Sequence, residues 1–190
     1  MKVTLVSIAI LLGCCAAADG AVVQYTNKAA WQSAVGTHTT IDFTGHSFGA
    51  PVLPHHYADL GVTFTGQQLG YFHSSGLFND GEGIRSNNDT LWATFDEPQR
   101  AIAVDYPGQI RFQLYSNGQL IFTSILFSPG MGQTQAFAGL ISDQSFDAVH
   151  LYRVNSTYVY IDDLHFGIPT PGALSVFALT AFGCRRRRRS

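Results

Sequence analysis

Cysteine is missing from the whole middle of the chain. The three cysteines, Cys14, Cys15 and Cys184, lie near its two ends. That absence excludes a disulfide and a cysteine-ligated zinc between them. A folded unit there must rely on core packing or on a bound ion. Positive charge is scarce as well. From Ala21 to Gly167 the only cationic residues are Lys28, Arg85, Arg100, Arg111 and Arg153. Twelve carboxylates oppose them, a net charge of −7 with neutral histidines. The remaining six basic residues are Lys2 and Arg185 to Arg189. An acidic middle argues against nucleic acid as a partner and leaves carboxylates free for a cation. Helical periodicity is also rare, and no H-E-x-x-H spacing occurs.

What is present begins with the two ends. Residues 1–18 read MKVTLVSIAILLGCCAAA: one lysine, a short apolar run, then small residues. Those are the parts of a secretory signal peptide, with cleavage expected between Ala18 and Asp19. The run is too short for an ordinary spanning helix of about 20 residues. The alternative is a buried N-terminal helix. Leu11-Leu12-Gly13-Cys14 also resembles a lipobox, which would place a lipidated N-terminus at Cys14. At the other end, Pro169 and Pro171 interrupt regular structure. An apolar stretch from Ala173 to Cys184 follows, then Arg185, Arg186, Arg187, Arg188 and Arg189. An apolar segment followed by arginines stops in a membrane with the arginines cytoplasmic. The alternative is a solvated basic tail.

This tail, residues 168–190, resembles the PEP-CTERM sorting signal: a proline box, a short hydrophobic helix and a terminal arginine cluster. The box is Pro169-Thr170-Pro171-Gly172, as in Pro-x-Pro-Gly variants, where the usual form is Pro-Glu-Pro. The resemblance implies the general export machinery and an exosortase-type sorting enzyme as partners. It implies a transient or short membrane anchor and a final place in the cell envelope, at the outer surface or in the extracellular matrix.

Between the ends, residues 19–167 are enough for one domain. Thr26 is expected to cap a helix through Val35, with Gly36 ending it and Ala30, Trp31 and Ala34 facing the core. The rest reads as strands over 39–43, 62–65, 91–95, 101–106, 110–115, 120–127, 135–141, 148–154 and 158–166. Asn117-Gly118 suits a tight hairpin turn. The stretch 66–88 is expected to be mostly loop, with a weak strand over 69–72. The expected fold class is all-β: a two-sheet antiparallel sandwich with one short N-terminal helix. Ala29-Ala30-Trp31, Ile41-Asp42-Phe43, Leu60 to Phe64 and Tyr160 to Leu164 resemble the jelly-roll-like domains carried by many PEP-CTERM proteins. Those domains are in turn similar to carbohydrate-binding modules.

Five constellations carry candidate chemistry. Gly45-His46-Ser47-Phe48-Gly49 fits the nucleophile elbow G-x-S-x-G, which would make Ser47 a hydrolase nucleophile. Pro51 and Pro54 follow too closely for the required helix, so a glycine-containing loop is the expectation. His55-His56-Tyr57-Ala58-Asp59 suggests a metal site, but adjacent histidines on an extended chain point apart, favouring an exposed loop. By resemblance to jelly-roll modules, Asp42 and Asp162 or Asp163 would share a structural calcium. The alternatives are a surface pair, or one aspartate hydrogen-bonded to a loop backbone. Asn79 to Gly83 and Asn87 to Asp89 are oxygen-rich but lack EF-hand spacing. Finally, Tyr158 and Tyr160 share one strand face, with Tyr152 on the preceding strand. If that face is outward, the three form a ligand platform for sugar rings. The sequence therefore supports a non-catalytic exported protein, with polysaccharide as the expected ligand class. The alternatives are a calcium-stabilised carbohydrate-binding module and a hydrolase using Ser47.

Overall fold

The structure is a computed structural model that describes residues 21–129, 135–153 and 157–169. The signal segment, with Ala18 and Asp19, lies outside the described residues. So do Pro171, Gly172 and Arg185 to Arg189. Of the tail residues singled out above, Pro169 is described, and it is buried. No helix among the described residues is long and apolar enough to cross a membrane.

The described chain is all-β. Strand β1 (Val22–Tyr25) leads into helix α1 (Lys28–Val35) and strand β2 (Thr39–Ile41). A single 3-10 turn at Ala58–Leu60 precedes β3 (Val62–His73) and β4 (Glu82–Tyr106). Strands β5 (Arg111–Ser116) and β6 (Gln119–Thr123) form a hairpin. Then come β7 (Ala136–Tyr152), β8 (Tyr158–Ile161) and β9 (Leu164–Gly167).

All strand pairs are antiparallel and belong to one hydrogen-bonded sheet, not to two separate ones. The reason lies in β4 and β7. Each was expected as two short strands, but each runs through as one long strand. The first part of β4 pairs with β3, β8 and the end of β7. Its last part, Ala101 to Tyr106, pairs with β9 and the start of β7. Register shifts fall between, at Thr94/Gln99 and Gln99/Ala101, around Pro98. Proline is tolerated at such irregularities, where no ladder bond is lost. The sheet thus curls over itself, sandwich-like.

Leu91, Ala93, Val149 and Leu151 from one half share a single core with Ile102, Val104, Ala138 and Leu140 from the other. Phe95 meets Phe166 across this core with ring centroids 5.0 Å apart.

Helix α1 is capped by Asn27, not Thr26: the Asn27 side chain accepts from the Ala30 amide at 2.8 Å. Its buried face is Trp31 and Val35, with Ala34 half-buried, while Ala30 faces solvent. The helix covers the outer side of the late half of β4, against Ala101 and Ala103. The strand run Ala101-Ile102-Ala103-Val104 is apolar throughout because both of its faces are buried. Small residues face the helix and larger ones face the core. Gly139 is part of the same fit: a Cβ there would stand 2.5 Å from Trp31 Cδ1.

The stretch 66–88 is mostly strand, with only Ser74–Gly81 left as a connection. Its start is polar, and Gly66, Gln67 and Gln68 are exposed. Backbone pairing such as Gln67 to Asn87 and Gly70 to Arg85 carries this polar part in the sheet, while Leu69, Tyr71 and Ile84 reach the core. The β5–β6 turn is as expected, with Asn117 and Gly118 at φ 51° and 73° and the Asn117 amide donating to Asp147 Oδ2 at 2.7 Å.

Candidate functional site

The outer face of the early half of β4 is aromatic. Alternation on β4 and β7 buries Leu91, Ala93, Val149 and Leu151 and turns Trp92, His150 and Tyr152 outward, half-buried. Cross-strand register then aligns Trp92 with His150, and His150 with Gln113. Trp92 and His150 stack with centroids 4.4 Å apart and planes 11° apart. His150 stacks in turn on Tyr152 at 5.2 Å. Tyr115 leans on Trp92 at 5.0 Å. The Gln113 amide oxygen accepts from the Tyr115 hydroxyl at 3.1 Å and lies 3.1 Å from His150 Nδ1. Side chains held on strands by stacking and hydrogen bonds form a preorganised surface. Arg111, opposite Tyr152, has a buried Nε with no hydrogen-bond partner among the described residues.

Tyr158 and Tyr160 also face outward, with centroids 6.0 Å apart. They do not meet Tyr152 ring to ring. They join a second aromatic group on the same face, where Tyr160 contacts Phe72 at 5.5 Å and Phe78 at 6.3 Å. Trp92, Tyr115 and His150 therefore stack beside Tyr152 on this face, where the sequence had offered only Tyr152, Tyr158 and Tyr160. The signal was available in the alternation of Leu91-Trp92-Ala93 and Val149-His150-Leu151. What the sequence could not supply was the register that aligns them.

The acidic candidates behave differently. Asp42 is exposed and accepts from the Thr44 amide at 3.3 Å, a local turn. Asp162 is buried. Its Oδ2 accepts from the Asn79 amide at 2.8 Å and from Gln135 Nε2 at 3.1 Å. Gln135 Nε2 also donates to the Leu77 carbonyl. Asp162 therefore ties down the Ser74–Gly81 connection, one of the alternatives left open by the sequence. Burial pushes its pKa up to about 7. The Asn79 hydrogen bond opposes this, and the charges of Asp163, Asp80 and Asp105 add to it.

Asp163 converges instead with Asp105 and His165. Lys28, on the first turn of α1, places its ammonium 2.6 Å from Asp105 Oδ2 and 3.2 Å from Asp163 Oδ2. His165 Nε2 donates to Asp105 Oδ2 at 3.1 Å, and the Thr40 hydroxyl lies 2.9 Å from Nδ1. Burial raises the Asp105 pKa, but the hydrogen bonds from His165 and Lys28 outweigh it, so the net direction is down. For Asp163 burial outweighs Lys28, and the net direction is up. Calcium needs six to eight oxygen ligands. Here Asp42, Asp162 and Asp163 do not form one group, and the group containing Asp163 already has an ammonium between its carboxylates. These residues fit an internal ion pair better than a calcium cage.

Ser47 is exposed in the turn Gly45–Gly49, and Pro51 then bridges to Gly70 of β3. The strand–turn–helix of a nucleophile elbow is not formed. His56 is half-buried and its Nδ1 lies 2.9 Å from the Tyr71 hydroxyl. The His46 ring stacks on Tyr71 at 3.8 Å, and the Tyr57 and Tyr71 hydroxyls are 3.0 Å apart. These histidines pack a tyrosine pair under the loop. His55 is exposed.

The chain matches no protein-family model and none of the curated proteins.

Proposed function

We propose that this chain is an exported, non-catalytic protein of the cell envelope or extracellular matrix that holds polysaccharide on the outer face of its curled sheet. The signal segment 1–18 would direct export, and an exosortase-type enzyme would act on the tail at 168–190. The domain would have a jelly-roll-like arrangement similar to carbohydrate-binding modules.

One observation carries the binding reading: the run Tyr115, Trp92, His150, Tyr152 stands side by side on three adjacent strands, outside the core. Aromatic faces carry partial negative charge and attract the polarised C–H groups of a sugar ring. Rigid rings on strands lose little entropy on binding, unlike long flexible side chains. The turn at Ser47 runs on through Pro51 to β3 and not into a helix, so it gives no support to a hydrolase elbow. The test is affinity electrophoresis of the full chain through gels containing neutral polysaccharides. Retardation that Trp92→Ala and Tyr152→Ala abolish supports the reading. Free migration of the unaltered chain in every gel refutes it.

A further inference from the structure

A cleft of about 300 Å³ opens beside β3, lined by Phe48, Pro51, Gln68, Gly70, Phe72 and Arg85 among others. We propose that it is a subsite for an anionic sugar residue. The ring would rest on Phe48 and Phe72, and the carboxylate would pair with Arg85. The proposal rests on the polysaccharide reading above and gives it a substrate class.

Arg85 is the only charged residue lining the cleft. The domain carries far more carboxylates than cations, yet none of those described pairs with Arg85. What surrounds it is aromatic. Its guanidinium carbon lies 4.9 Å from the Phe72 ring centre and 5.0 Å from that of Tyr158. Those rings come from β3 and β8, the strands on either side of β4. Cation–π contact with these rings does not use the guanidinium N–H groups as hydrogen-bond donors, and no described carboxylate pairs with its N–H edge. That edge is a planar fork matched to a carboxylate, which it binds through two parallel hydrogen bonds.

The apolar half of the subsite is equally exposed. Phe48 is 63% exposed, and its ring meets Phe72 at 5.4 Å. An aromatic side chain left this open beside a cleft offers a face to a ligand, not to the core. Gln68 stands at the rim with φ 49°, and its side-chain oxygen accepts from Asn87. That contact orients the amide and leaves its N–H₂ for a sugar hydroxyl. The volume is at the small end of ligand pockets, roughly 300–1,000 Å³, and suits a monomer unit. The acidic net charge of the domain would repel a polyanion at long range. At physiological salt that repulsion is screened beyond about 8 Å, whereas contact with Arg85 is not.

The test is isothermal titration of the full chain with a short glucuronic acid oligomer and with its carboxyl-reduced, neutral counterpart. The expected result is tighter binding of the acidic oligomer by about tenfold, the value of one charge-assisted contact. Arg85→Gln should bring that ratio to about one. Phe48→Ser, at a position whose exposure spares the fold, should weaken the acidic oligomer severalfold. Equal affinities in the unaltered chain would overturn the subsite and leave the platform standing. A preference that survives both substitutions would do the same. Binding of neither oligomer would overturn the subsite and the polysaccharide reading together.

Discussion

Trp92 on β4 and His150 on β7 occupy directly paired positions, and their rings lie parallel at 4.4 Å on the outside of the sheet. A cross-strand aromatic pair contributes about 1 kcal/mol. Trp92→Ala should therefore lower stability by about that much, with the β circular dichroism unchanged. Chemical denaturation measures it. A loss of several kcal/mol would mean that Trp92 is a core residue and not part of an open face.

Gly139 faces Trp31 so closely that any Cβ forces the indole to move. The indole is pinned by its Nε1–H bond to the Leu140 carbonyl at 3.2 Å. Gly139→Ala should cost about 1–3 kcal/mol, the usual range for overpacking. Denaturation of Gly139→Ala beside Trp31→Phe and the double variant checks the cause. Costs that simply add would show that the two sites do not collide.

Asp162 gives a pH dependence of defined sign. Its folded pKa of about 7 is far above the unfolded carboxylate value of about 3.9. Between those two values the folded state binds more protons than the unfolded one, so stability falls as pH rises from about 4 to about 7. At roughly 1.4 kcal/mol per pKa unit the contribution is at most about 4 kcal/mol. Asp162→Asn keeps an oxygen for Asn79 and Gln135 and cannot ionise. It should flatten the decline and raise the melting temperature at pH 8. A steeper decline in Asp162→Asn would contradict the assignment.

Lys28 joins α1 to Asp105 and Asp163, and its burial opposes the charge that these carboxylates favour. Their pull prevails and its pKa is raised. Lys28→Ala would leave two acids close together with only His165 beside them. The expected cost is about 1–2 kcal/mol, below that of a fully buried pair because the Lys28 side chain is 36% exposed. Since the ammonium stands where a cation would, chelator should leave the melting temperature of the unaltered chain unchanged. An ion held only by the folded state must raise that temperature, so a fall on chelation would show a metal site.

The all-β class was legible in the sequence because Val, Ile, Phe and Tyr alternate between turn residues. The Asn117-Gly118 hairpin was legible because its positive φ values demand those residues. The continuity of β4 and β7 was not. Pro98 and the polar run at Ser142–Ser145 read as breaks, and only the paired backbone shows them as bends in one strand. The platform was half legible. Alternation put Tyr158 and Tyr160 on one strand face but left open whether that face points outward. Trp92 and Tyr115 join Tyr152 through strand register, which is a long-range property. Asp105 could not be singled out, since its partners Lys28 and His165 lie 77 and 60 residues away in sequence.

The most direct measurement is a fluorescence titration of the full chain with neutral and acidic oligosaccharides. Its two tryptophans differ: Trp31 is fully buried and Trp92 lies on the open face. The account predicts a saturable change in emission that disappears in Trp92→Phe and persists in Trp31→Phe. Saturable binding with no change at Trp92, or a change reported by Trp31 alone, would contradict it.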